Sequence, residues 1–205
     1  MNNRSLLKML LGGFLLVLLL AAQVLTTPIP EGVDLANVGN VLHRDLDVQR
    51  PAIYGATEIY GCTVVIVMDA GGLVIGHFPE ETGSSITLES ETATNIKIIE
   101  PLFDQLVQVD WTDQAVAYIV HSRRSAVKGL KAIKDALMDN GVSQANIKES
   151  IYTSGLSTVG SKGKIVVTWE PLNEGGTELQ LCIQNDNPVY VRQFDQDGNP
   201  CALTG

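Results

Sequence analysis

The sequence predicts an α+β fold: a mostly antiparallel β-sandwich with one or two helices packed on it. Three observations predict it. Cys62–Met68 and Leu73–Phe78 are almost wholly apolar and β-branched, with Asp69-Ala70-Gly71-Gly72 between them. That pattern is a hairpin, and its lack of alternation says both of its faces are covered. A run of short strand patterns follows later in the chain, separated by glycine or Asn-Pro. Between them lies one stretch, 125–140, whose apolar residues recur at helical spacing.

Taken in order, residues 1–22 read as a secretory signal. Arg4 and Lys8 precede the apolar run Met9–Leu20, and the small residues Ala21 and Ala22 follow. The rival is an uncleaved anchor, because Met9–Leu25 approaches the length that spans a bilayer. Residues 23–57 read as a connector or pro-segment, or as an ordered arm, since Pro28, Pro30, Gly32 and Gly39 interrupt any period. Residues 58–205 read as a single α+β domain. After the hairpin, Ile96, Ile99, Leu102, Phe103, Leu106 and Val107 recur at helical spacing, with Pro101 marking a break or a start. Ala115–His121 reads as a buried strand. Ser122 or Ser125 can cap the next helix, whose stripe is Val127, Leu130, Ile133, Ala136 and Leu137, with Asn140-Gly141 as its stop. Ile151–Ser154, Lys164–Glu170, Glu178–Gln184 and Val189–Phe194 complete the strands.

Composition narrows the function classes. The 205-residue chain has a formal charge of -9, and cleavage after residue 22 removes two basic residues and no acidic one, leaving -11. Such a surface repels phosphate backbones, so no nucleic-acid partner is expected. The expectation is a secreted, extracellular protein with no stable membrane association after signal cleavage. Its partner would be a protein substrate or a host or microbial protein. The three cysteines are Cys62, Cys182 and Cys201. In an oxidising compartment Cys182 and Cys201 can close a C-terminal loop, worth about 3 kcal/mol in the chain-entropy model. Cys62 would then remain a thiol, either reactive or simply a small buried hydrophobe. Three histidines and three cysteines without ligand spacing predict no metal site.

Chemistry gathers at the hairpin. A four-residue loop at Asp69–Gly72 sets Met68 opposite Leu73, Val64 opposite His77 and Cys62 opposite Pro79. Cys62 and His77 are then diagonal neighbours on one face, with Cβ atoms about 7 Å apart. A three-residue loop or a bulge would place them on opposite faces. An imidazole beside a thiol can activate it for attack on a carbonyl carbon and then protonate the leaving amine. An amide at or next to Cys62, with Gly61 allowing close approach, could stabilise the resulting oxyanion. His121 at a strand end is a weaker alternative to His77, and His43 lies in the connector.

Ile59-Tyr60-Gly61-Cys62, with His77 fifteen residues on, is similar to the L-S-G-C motif of bacterial glutamine-deamidating toxins, among them the cytotoxic necrotizing factor catalytic domain. Gly76-His77-Phe78-Pro79 resembles the chemotaxis receptor deamidase family (CheD), where the histidine follows a similar glycine-rich hairpin. Segment 60–170 also resembles uncharacterised secreted proteins of filamentous fungi that share the G-C-T and G-H-F strands. The resemblance implies a sandwich with a Cys–His site that hydrolyses a side-chain carboxamide through a thioester, with no cofactor. It makes Cys62 the nucleophile and His77 the general base and acid. The third member would be a threonine shortly before the cysteine, for which Thr57 is the nearest candidate, or a backbone carbonyl. Tyr60 stands in place of the motif serine and Ile59 in place of the leucine. The alternative function is a non-catalytic secreted effector or binding domain that keeps the sandwich and packs Cys62 inside it.

Overall fold

Apolar runs too short for helices and broken by glycine pair edge to edge, and they do so here in two sheets. The computed structural model describes residues 32–47, 50–59, 62–78, 100–122, 130–152, 163–173, 175–183 and 187–201. The signal reading at 1–22 lies outside them. Among the described residues no helix is long and apolar enough to cross a membrane. The strands are β1 (Asp34–Leu35), β2 (Val41–Asp45), β3 (Ala52–Ile59), β4 (Thr63–Met68), β5 (Gly72–Phe78) and β6 (Val116–Ser122). After these come β7 (Ile147–Tyr152), β8 (Gly163–Pro171), β9 (Thr177–Ile183) and β10 (Pro188–Phe194). Residues 100–106 form helix α1, and Leu130–Asp139 form α2. One sheet has the order β1-β3-β8-β9-β10 and the other β2-β5-β4-β6-β7. Pairing is antiparallel except for β1 with β3 and β6 with β7.

Two apolar layers explain the two kinds of strand. Between the sheets, Val64, Ile66 and Met68 of β4 and Leu73 and Ile75 of β5 share a core with Ile165, Val167 and Trp169 of β8 and Leu179, Leu181 and Ile183 of β9. On the far face of the second sheet, Val65, Val67, Val74, Phe78, Ala117 and Ile119 pack with Leu102 and Leu106 of α1 and Ile133 and Leu137 of α2. The hairpin is therefore apolar on both faces because both are covered. In β9, by contrast, buried and half-buried positions alternate strictly, because only one face lies in the core.

The stretch read as a connector is built into the sheets. Residues 34–57 supply β1, β2 and most of β3, so a boundary at residue 57 falls inside a strand. Its linker-like appearance has a physical cause. β2 is an edge strand in which only Leu42 is buried, and Gly39 takes φ +84° at the turn between β1 and β2. β7 begins at Ile147 and runs parallel to β6, so β6, α2 and β7 form a crossover unit. Its start reads as polar because an edge strand exposes Lys148 and Glu149.

The expected C-terminal disulfide is absent: all three cysteines are thiols rather than half-cystines. The register shows why. Cys182 lies opposite Pro188, whereas Cys201 donates its N–H to the Gln193 carbonyl, and Gln193 lies opposite Glu178. Four residues of β9 separate the two levels, about 13 Å. A disulfide needs Cα atoms within about 7 Å.

Candidate functional site

The site grows out of the β4–β5 hairpin. Asp69 closes its loop: one carboxylate oxygen accepts the Ala70 N–H at 2.7 Å, and the other accepts the Thr112 N–H at 2.8 Å. Met68 stands opposite Leu73, and the ladder continues without slippage to Val64 opposite His77 and Thr63 opposite Phe78. Cys62, one residue before β4, belongs to the same core face as Val64, Ile66 and Ile75. Alternation along β5 puts His77 on that face as well. The hairpin thus brings Cys62 and His77 onto one side of the ribbon, one diagonal step apart.

His77 is fully buried and held from two directions. Its main chain is gripped by the turn before β2. The Gly39 N–H donates to the His77 carbonyl at 2.7 Å, and the His77 N–H donates to the Asn40 carbonyl at 3.0 Å. Its side-chain Nδ1 lies 3.1 Å from the Ala36 carbonyl. A carbonyl can only accept, so Nδ1 carries the proton and the neutral ring presents an unprotonated Nε2. Nε2 is buried and has no hydrogen-bond partner among the described residues. Burial pushes the imidazole below its ordinary range, and the Ala36 carbonyl opposes that shift in part. Ala36 is itself held where its N–H donates to the Gly55 carbonyl at 2.8 Å.

Cys62 is 6% exposed, and its carbonyl accepts a hydrogen bond from the buried Tyr152 hydroxyl at 2.9 Å. Thr57 is half-buried in β3, following the core-facing Ala56. The acceptor on His77 Nδ1 is the Ala36 carbonyl and not the Thr57 hydroxyl. His121 is buried in β6 on the opposite face, where Nε2 lies 3.6 Å from the Glu149 carboxylate, which Lys134 also engages. That trio ties α2 to the sheet, away from Cys62. His43 sits in β2 with Asp45 at 3.6 Å. A surface cleft of about 720 Å³, lined by Leu172, Gly175, Phe194, Asp195 and Cys201, includes neither Cys62 nor His77. Among the described residues no group of three or more His, Cys, Asp or Glu side chains is placed to hold a metal.

Sequence reasoning does not find Ala36 or Tyr152. A main-chain carbonyl leaves no trace in residue identity. Tyr152 shows only as a lone aromatic residue at the end of a strand pattern.

Fold and site together define an α+β sandwich with a cysteine and an oriented histidine on one inner face. No family model matches the chain, and no curated protein matches it. Among solved structures, it is similar to the C-terminal domain of CNFy from Yersinia pseudotuberculosis, with a TM-score of 0.38 and 13% identity over 81% of this chain and 64% of that one. It is also similar to the Bacillus licheniformis hypothetical protein YfiH, with a TM-score of 0.36 and 12% identity over 56% of this chain and 51% of that one. The chain spans less than two thirds of either.

Proposed function

We propose that the protein is a secreted Cys–His amidohydrolase that deamidates a glutamine side chain of a protein substrate. One observation carries this reading. His77 has its Nδ1 proton committed to the Ala36 carbonyl, and its Nε2 is left without a hydrogen-bond partner in a ring on the core face that Cys62 shares. Burial keeps that ring neutral at physiological pH, which a proton acceptor requires.

On this reading the steps are as follows. Nε2 takes the thiol proton, and the Cys62 thiolate attacks the carboxamide carbon to form a tetrahedral oxyanion. The Nε2 proton then passes to the departing nitrogen, the C–N bond breaks, and ammonia leaves a thioester on Cys62. Water, deprotonated by Nε2, attacks that thioester. The C–S bond breaks, giving a carboxylate and the restored thiol. The Ala36 carbonyl stabilises the imidazolium formed in each half-reaction, an effect strengthened where water is excluded. No cofactor takes part in these steps.

A second reading has its own support. Cys62 is 6% exposed and His77 is fully buried, which suits a packed pair inside a non-catalytic binding domain. Alkylation of the native protein by iodoacetamide, with the modified residue located by mass spectrometry, separates the two. The amidohydrolase reading expects Cys62 to react faster than Cys182 and Cys201, although both of those are more exposed. It also expects His77→Ala to abolish that advantage, and ammonia to be released from a glutaminyl peptide. A Cys62 that reacts only in denaturant ends the catalytic reading.

A further inference from the structure

Cys62 directly precedes β4. The β4–β5 ladder begins with Thr63 opposite Phe78, and the β4–β6 ladder ends with Val64 opposite Val120. Cys62 immediately precedes the first of these pairs. Its carbonyl accepts the hydroxyl proton of Tyr152 at 2.9 Å. Tyr152 is the last residue of β7 and lies opposite Ser122 of β6. Its ring belongs to the core between the sheets and is 2% exposed. The tyrosine thus reaches past β6, on the inner face of the sheet, to the main chain at the start of β4.

We infer that Tyr152 is a positioning residue for Cys62. The direction of a carbonyl fixes the ψ angle of its residue, and ψ together with φ fixes where the Cα–Cβ bond points. Tying down the Cys62 carbonyl therefore aims the sulfur along the face it shares with His77. Packing alone does not need the hydroxyl, because phenylalanine would fill the same space without it. A buried tyrosine hydroxyl is retained where it has a partner, and here that partner is the peptide of the proposed nucleophile. This inference rests on the amidohydrolase reading and adds a residue to it.

The test is Tyr152→Phe in the full chain, with Tyr118→Phe as a control. Tyr118 also packs against the inner core, and its hydroxyl lies 3.4 Å from the Val189 carbonyl, away from Cys62. Four quantities are read: the rate of Cys62 alkylation by iodoacetamide, kcat and KM for ammonia release from a glutaminyl peptide, and Tm. The expected result is a loss on the order of tenfold or more in kcat and in alkylation rate, since misplacing a reacting group by about 1 Å can cost about a hundredfold. KM changes little, and the control behaves as wild type. Unchanged kcat and alkylation in Tyr152→Phe, whatever happens to Tm, overturn the inference and leave the catalytic reading standing. A wild-type Cys62 that resists alkylation overturns both, so the two failures are told apart.

Discussion

Acidification of a protein whose His77 has been replaced by asparagine tests the protonation state on which the proposed chemistry depends. The asparagine amide nitrogen sits near the position of Nδ1, so the variant keeps a donor toward the Ala36 carbonyl and loses the titration, and its smaller volume adds a cost that does not vary with pH. Burial holds the folded His77 pKa below the ordinary 6.5. The unfolded chain then binds a proton that the folded chain refuses. Stability is complete at neutral pH and is lost as pH falls below about 6.5 toward the folded pKa. A proton taken up by the unfolded chain alone changes stability by at most about 1.4 kcal/mol per pH unit, which bounds the loss. Contributions common to the two proteins cancel in the comparison. Urea unfolding at about pH 7.5, 6.5 and 5.5, followed by the fluorescence of the buried Trp169, gives the difference directly. The wild type should lose up to about 1.4 kcal/mol relative to His77→Asn over that range. A constant difference would refute the burial argument. Relative gain by the wild type on acidification would mean that the fold prefers an imidazolium, as it would beside a thiolate, and the proposed reaction would start from an ion pair.

Ile66→Ala empties a site fully buried between the sheets and should cost about 2–5 kcal/mol in urea unfolding. Gly55→Ala places a Cβ 2.4 Å from the Ile165 carbonyl oxygen, which is main chain and cannot step aside. It should therefore destabilise by at least the 1–3 kcal/mol typical of overpacking. Because the Gly55 carbonyl holds the Ala36 N–H, the same substitution should also slow Cys62 alkylation. Lys134→Ala removes the main cause of the lowered Glu149 pKa, yet both side chains are more than a third exposed. Its cost should stay within about 0–1 kcal/mol and shrink toward zero in about 1 M salt.

The hairpin was legible because its information is local. Apolar runs of matched length and the four-residue loop led by Asp69 specify a register, and that register carries from Met68 to Val64 without a bulge. The strands after residue 160 were legible for the same reason, since glycines or Asn-Pro punctuate them. The N-terminal arm was not. β1 is two residues long and β2 buries only Leu42, so neither writes a periodic pattern. The Cys182–Cys201 bridge failed because spacing in the chain says nothing of level in the sheet, where four residues of β9 intervene. Cys62 and His77 could be nominated from residue type and spacing. The acceptor on Nδ1 could not, because it is a peptide oxygen 41 residues earlier in the chain.

Leu35 is hydrogen-bonded into one sheet and Val41 into the other, with only five residues between them. Such a tether spans at most about 20 Å, so neither layer can slip far past the other before it draws taut. Ala36 lies within it, and its oxygen is what fixes the ring of His77. The tautomer of the imidazole and the alignment of the two layers are therefore a single mechanical variable. A ligand that wedged the layers apart would unhook the imidazole of His77 without ever touching it.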